Sequence, residues 1–266
     1  MSDNDDEQEN GSERLEARTV FELVRREGEK ELRRPVSSLW WSGITAGVAI
    51  SSSLVTEGLL HAELAESDAR WLLENLGYTV GFAIVILGRM QLFTENTITP
   101  VLPIMARYSH RALRQMGVLW AVVLLANLVG TFIAAAFADF VAFGTDKQLT
   151  GMLDVARHAV VGRSPSDVLL LAIPAGFYIA ALVWMLPSSQ GFELWVIVIM
   201  TFLIAIGDFA HVIVGSAECF LLLLAGEISV GHAFGGYILP ALVGNVIGGT
   251  VLFSLLAYAQ VREELR

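Results

Sequence analysis

The sequence predicts an all-α membrane protein in which two of the membrane-spanning helices are interrupted. The 266-residue chain is 55% hydrophobic, and its apolar residues form long runs, which is typical of membrane proteins. A polar, glycine-broken passage, Leu87 to Pro100, interrupts one run, and Ile206 to Glu218 interrupts a later one. A bilayer core of about 30 Å needs about 20 helical residues, so the pieces that flank each passage are predicted to be half-helices.

The apolar runs predict six spans in chain order. They are roughly Val36 to Leu60, Glu74 to Ala106 (broken), Met116 to Phe143, Ser166 to Pro187, Glu193 to Gly226 (broken) and His232 to Gln260. The membrane domain therefore covers residues 36–260. An N-terminal tail with a helix occupies residues 1–35, and a short C-terminal tail occupies residues 261–266.

The N-terminal segment is divided into two parts. Met1 to Ser12 is poor in apolar residues and is predicted to be disordered. Thr19 to Arg34 carries an apolar edge among charges, which predicts a helix lying on the membrane face. A solvated, charged helix fits the same pattern. No basic start followed by an apolar core is present, so a cleaved signal peptide is not indicated.

Landmarks recur in the same order in the two halves of the chain. Gly88 recurs as Gly207 at an offset of 119 residues, Asn127 to Gly130 recurs as Asn245 to Gly248 at an offset of 118, and Ile44 to Gly47 recurs as Ile173 to Gly176 at an offset of 129. An insertion near Leu60 to Trp71 accounts for the difference. Each copy, about 36–143 and 166–260, holds three spans, and an odd number predicts an inverted repeat with a pseudo-two-fold axis in the membrane plane.

Charge and cysteine content narrow the location and the function. Lysine and arginine concentrate before the first span, which predicts an inner or plasma membrane protein with both termini in the cytoplasm. The net charge of −10, of which residues 1–34 contribute −4 through 11 acidic and 7 basic residues, does not favour nucleic-acid binding. One cysteine, Cys219, leaves no internal disulfide or cysteine metal site, and neither a cofactor nor a phosphate-binding loop is indicated.

Ionisable residues at membrane depth cluster at the two breaks. They are Arg89, Glu95, Asp208, His211 and Glu218, with Glu57 near the end of the first span. Such residues are costly in a membrane and are functional candidates. Because Arg89 and Asp208 follow the equivalent glycines Gly88 and Gly207, one hypothesis is a buried ion pair that clamps the breaks together. The competing interpretation is that Arg89 faces the pore and attracts anions.

His211 is the central candidate for the substrate pathway. An imidazole titrates near neutral pH and can donate a proton to a weak-acid anion. The remaining pathway candidates are Thr94 and Asn96 as neutral hydrogen-bonding groups and Leu92, Phe93 and Phe209 as an apolar constriction, although these three could equally be packing residues. Asn127 and Asn245 are predicted to support the broken segments through hydrogen bonds.

These motifs resemble the formate/nitrite transporter family. Leu92-Phe93-Thr94 with Asn96, Phe209-x-His211 and the Gly244 to Gly249 stretch carry the resemblance, which covers about Val36 to Gln260. It implies an aquaporin-like six-helix protomer with broken second and fifth helices, assembled as a homopentamer in lipid with one pore per protomer. It also implies transport of small monovalent anions such as formate, nitrite or hydrosulfide, often with a proton, and a central pore histidine at His211.

The chain departs from well-known formate channels near the histidine. A glutamate and an asparagine of those channels are replaced by Ala210 and Gly215. We expect an anion to be drawn into a vestibule by positive potential and to receive a proton from His211 or from water held by it. Two other classes remain open, an aquaporin-like neutral-solute channel, although neither break contains Asn-Pro-Ala, and an intramembrane enzyme with Ser216 as nucleophile.

Overall fold

The computed structural model describes residues 15–67, 69–140 and 145–265, and all regular secondary structure within these ranges is helical. The α-helices are α1 (Ala17–Glu31), α2 (Val36–Ile50), α3 (Ser52–Glu63), α4 (Arg70–Leu87), α5 (Val101–Ala106), α6 (His110–Phe140), α7 (Asp146–Val160), α8 (Pro165–Met185), α9 (Glu193–Ile206), α10 (Val212–Leu224), α11 (Leu239–Val246) and α12 (Leu255–Val261). The predicted disorder of Met1 to Ser12 and the predicted end of the third span at Phe143 lie outside the described residues.

Five helices in the described ranges are long and apolar enough to cross a membrane. They are Val36–Glu63, Arg70–Leu87, His110–Phe140, Pro165–Ser188 and His232–Val261. The last of these includes the π-helical segments His232–Ile238 and Ile247–Ser254. Where the fifth span is predicted, the chain forms two shorter apolar helices, α9 and α10.

Both breaks are present, but their bounds differ from the prediction. The piece before the first break is not too short to span, since α4 starts at Arg70 rather than near Leu76 and contains 18 residues. The second break covers residues 207–211 alone, because α10 starts at Val212 and includes Gly215 to Glu218. The apolar residues on both sides favour helix over a wider break, and the Ser216 hydroxyl donates to the Ile213 carbonyl at 2.7 Å within the same turn.

Close backbone approach holds corresponding helix pairs together in the two halves. A Cβ atom on Gly47 of α2 would lie 2.2 Å from the Asn127 carbonyl oxygen of α6. A Cβ atom on Gly248, in the last span, would lie 1.9 Å from the Ile173 carbonyl oxygen of α8. Neither position leaves room for a side chain, so small residues here set the helix spacing that membrane packing requires.

The apolar edge of α1 packs on the protein, which differs from both sequence interpretations. Val20, Phe21 and Val24 are buried, and the Phe21 ring lies 5.9 Å from the Tyr258 ring, centroid to centroid. A Cβ atom on Gly28 would lie 1.8 Å from the Thr99 carbonyl oxygen beside the first break. The apolar pattern was recognisable in the sequence, but it did not reveal that the partner surface is the protein itself.

Helix α7 was not predicted, and it covers one end of the structure. It begins with a capping box between Thr145 and Gln148 and buries Met152, Ala156 and Val160 on one face. This face packs against α3 and α10. The segment has polar residues on its other face and a low average hydropathy, so a search for apolar runs passes over it.

Candidate functional site

The first break folds back into the interior of the protein after α4 ends. Gly88 caps α4, and Arg89 follows with a φ of 51°, in the left-handed region that L-residues rarely adopt. The next residues are buried: Leu92 and Thr94 are 0% exposed, Phe93 1% and Asn96 3%. The Phe93 ring packs edge-on against Trp120, whose indole N–H donates to the Asn96 carbonyl at 2.8 Å.

Asn127 of α6 supplies three hydrogen bonds to the region around this break. The Phe93 N–H donates to Oδ1 at 2.9 Å, and Nδ2 donates to the carbonyls of Gln91 and Gly43 at 2.8 Å each. Backbone groups in the break lack the hydrogen-bond partners that a helix would provide. The Asn127 amide supplies partners in their place, so no water is needed.

The second break repeats this arrangement. Gly207 caps α9, and Asp208 follows with a φ of 54°, matching Arg89 at the equivalent position. The Val212 N–H donates to Asn245 Oδ1 at 2.9 Å, and Asn245 Nδ2 donates to the carbonyls of Ala172 and Ala210 at 2.8 and 2.9 Å. Two loops of different sequence are thus held by the same set of three bonds from one asparagine.

The two breaks meet through one side-chain contact. Thr94 Oγ1 lies 2.8 Å from His211 Nε2, and both residues are almost fully buried. His211 is the N-cap of α10, and its Nδ1 accepts the Val214 N–H at 3.3 Å. Since Nδ1 accepts, the proton of a neutral ring is on Nε2 and points at the Thr94 hydroxyl. The Phe82 ring packs edge-on at 5.0 Å and closes another side of the imidazole.

The ion pair predicted between Arg89 and Asp208 is not formed. Asp208 instead pairs with Arg163 and His158, each at 3.2 Å, and Arg163 also donates to the Asp208 carbonyl at 3.0 Å. Arg89 is exposed and makes no ion pair within the described ranges. The physical reason is the position of the two residues. Gln91, two residues after Arg89, donates to Glu31 of α1, whereas Asp208 contacts His158 and Arg163 at the end of α7 and just beyond it. Arg89 and Asp208 therefore lie at opposite ends of the protein.

Two buried carboxylates of the sequence prediction remain without a hydrogen-bonded partner. Glu95 lies in the first break, and its Oε1 is buried with no hydrogen bond to the described residues. Glu218 of α10 is 4% exposed, and no hydrogen bond or ion pair joins it to the described part of the chain. Glu218 opens onto a cavity, as does Glu57.

That cavity, which we call the vestibule, has a volume of about 190 Å³ and ends at His211. Phe209 also lines it and stacks on Tyr178 with ring centroids 5.9 Å apart. Its lining contains one guanidinium group, Arg163, against five carboxylates: Glu57, Glu74, Asp154, Asp208 and Glu218. The lining therefore holds more carboxyl groups than guanidinium groups, whereas the sequence led us to expect a positive potential.

Several residues of the vestibule were missed in the sequence. They are His61, Glu74, Asp154, His158, Arg163 and Tyr237. His61 Nδ1 contacts the Glu74 carboxylate at 2.7 Å, so part of this charge is already paired. The capping box of α7 and the four-residue spacing of Met152, Ala156 and Val160 were the signals that could have located the helix carrying two of these residues, Asp154 and His158.

The helices and the two re-entrant breaks define an integral membrane transport protein, and comparison with known proteins gives its family. Residues 18–259 match the formate/nitrite transporter family. The chain belongs to this family, which confirms the resemblance seen in the motifs.

Individual relatives agree with that assignment. The inner membrane protein YfdC of Escherichia coli (strain K12) is 40% identical over 249 residues, which cover 94% of this chain and 80% of that protein. A solved structure titled "FNT family ion channel" superposes with a TM-score of 0.79 at 17% identity, covering 91% of this chain and 98% of the other. A "pentameric formate channel with formate bound" superposes with a TM-score of 0.71 at 16% identity, covering 85% and 98%.

Proposed function

We propose that this protein is a channel for small monovalent anions of weak acids, such as formate or nitrite, and that transport is linked to protons at His211. The observation that carries the proposal is the 2.8 Å contact between Thr94 and His211, which joins two breaks at a buried point reached by the vestibule. Polar groups placed where two irregular segments meet in a membrane are typical of substrate pathways.

The surroundings of His211 indicate which species passes. Moving an ion into an apolar environment is far more costly than moving a neutral acid, and the Phe82 ring supplies such an environment beside the imidazole. We propose that Leu92 and Phe93, which are both buried, form the rest of the constriction. Of the two proton sources that the sequence leaves open, His211 itself and water held by it, the contacts of the ring support the water. The ring's single proton already points at Thr94, and adding a second at Nδ1 would break the bond from Val214.

The architecture proposed for this function goes beyond the helices themselves. We propose six aquaporin-like spans arranged as an inverted repeat, with residues 1–35 and 261–266 as cytoplasmic tails of an inner-membrane protein. The paired left-handed residues Arg89 and Asp208 and the paired asparagines Asn127 and Asn245 support the repeat. A homopentamer in lipid is proposed from the likeness to the pentameric formate channel.

The enzyme alternative receives no support from the contacts of its candidate nucleophile. Ser216 Oγ is bonded to the Ile213 carbonyl and lies 2.9 Å from Thr131 Oγ1, whereas His211 is bonded to Thr94. A serine nucleophile needs a base within hydrogen-bond reach, and Ser216 is not bonded to the histidine.

Flux measurements in proteoliposomes test the proposal. We expect His211→Ala to lower formate flux and to change its dependence on pH, because the variant removes the polar group at the meeting point. His110→Ala is the matched control, since His110 is exposed and does not line the vestibule. Equal flux and equal pH profiles for His211→Ala and the parent would remove His211 from the mechanism.

A further inference from the structure

The carboxyl group of Glu218 is placed where a proton donor for the substrate would be needed. Glu218 is 4% exposed and opens onto the vestibule. It has no hydrogen bond or ion pair to the described residues. Burying a carboxyl group without a partner is costly, and an apolar side chain would fill the same space at lower cost. Glu218 is therefore a candidate for a functional role.

Glu218 and His211 lie on the same face of α10. They are seven residues apart with Gly215 between them, which separates their Cα atoms by about 10 Å along the helix axis. All three line the vestibule. A solute in this cavity can therefore contact the carboxyl group and then the imidazole without leaving the wall formed by α10.

Tyr237 narrows the space between these two groups. A Cβ atom on Gly215 would lie 2.1 Å from the Tyr237 ring, so the ring occupies the volume that a larger residue at this position would fill. The position is the one at which well-known formate channels carry an asparagine. Both the edge of the ring and its hydroxyl group lie at this position, so the passage between Glu218 and His211 is narrow there.

Glu218 is surrounded by other titratable and charged groups. They are Glu57, Tyr78, Asp208, Tyr237, Arg163 and the adjacent Cys219. The guanidinium of Arg163 is paired with Asp208 and forms no ion pair with Glu218.

We propose that Glu218 is the proton-transfer residue of the vestibule. The protonated carboxyl group gives its proton to the weak-acid anion, leaving a Glu218 carboxylate and a neutral acid, and a hydronium ion from the bulk solution then reprotonates the carboxylate and becomes water. Efflux runs the same step in reverse. This inference rests on the proposed function and names the group that performs its proton step.

The test measures labelled formate uptake into proteoliposomes between pH 5 and pH 8 for the parent, Glu218→Gln and Glu218→Asp, with a luminal pH dye recording proton entry. Glu66→Gln is the matched control, because it makes the same change on a side chain 96% exposed near the mouth. We expect Glu218→Gln to lose about tenfold or more of the formate flux at neutral pH. The loss should shrink at acidic pH, where the solution supplies neutral acid, and Glu218→Asp should recover part of the flux.

The outcomes separate this proposal from the function on which it rests. A Glu218→Gln variant with the parent's rate and pH profile overturns the role of Glu218 and leaves the formate channel standing. A uniform loss at every pH, with no recovery in Glu218→Asp, also overturns it, since a packing defect would act that way. A parent that carries no formate refutes the proposed function, and uptake of methylammonium that depends on Glu218 would show a cation site instead.

Discussion

Asn127 ties the first break to its neighbours, and its replacement by leucine removes three buried hydrogen bonds at once. The side chain is 0% exposed, so water cannot replace the lost partners. Each bond contributes about 1 kcal/mol net, and a stranded buried group such as the Phe93 N–H adds about 1 to 3 kcal/mol. We expect Asn127→Leu to lower the free energy of unfolding by about 3 to 5 kcal/mol.

Denaturant unfolding in detergent micelles, followed by tryptophan fluorescence, measures this loss. Asn245→Leu should show a similar loss, because Asn245 makes the matching three bonds in the second half. Asn75→Leu is the control, since Asn75 makes one bond, to the Trp71 carbonyl within its own helix, and should lose about 1 kcal/mol. A loss for Asn127→Leu no larger than that of Asn75→Leu would refute the reasoning.

Two further predictions concern the ends of the protein. Gly28→Ala should release α1 from the protein and speed protease cleavage within it, because the added Cβ would clash with the Thr99 carbonyl. The control is Gly117→Ala, whose added Cβ has no atom within 4 Å, and this variant should be cleaved at the parent's rate. The hydrogen bond from Arg157 lowers the pKa of Glu227, so the pair should stabilise the fold above about pH 4 and lose this effect as the pH falls further. Glu227→Gln should therefore flatten the acid side of the unfolding midpoint plotted against pH, by less than about 1 kcal/mol for so exposed a pair.

The sequence allowed the breaks to be located because glycine and polar residues are conspicuous inside apolar runs. The helix ends after Leu87 and after Ile206 agree with those positions. The extent of the second break could not be read in the same way. Gly215 and Ser216 look like helix breakers by composition, but Gly215 is needed for the approach of Tyr237, a contact between distant parts of the chain.

Arg89 and Asp208 do not pair because equivalent positions in an inverted repeat need not be close in space. Equivalent residues of an inverted repeat lie close together if they are near the pseudo-two-fold axis and far apart if they are not. Arg89 and Asp208 both follow the end of a long half-helix and have matching φ angles, so they satisfy the repeat while lying at opposite ends. Sequence offsets establish equivalence but contain no distance from the axis.

The same geometry explains why Thr94 and His211 meet although they are not equivalent residues. After each left-handed residue the chain turns back from the end of the protein toward its middle. The number of residues in this returning segment decides which side chain reaches the middle. Thr94 lies five residues beyond Arg89, whereas His211 lies three beyond Asp208. The second half then starts α10 at once, which places Glu218 along the vestibule, while the first half forms a 3₁₀ turn at Glu95–Thr97 before the short α5. The two halves can therefore share one backbone plan and still differ in chemistry: the second half carries Glu218 within α10, whereas the first half carries Glu95 in its 3₁₀ turn.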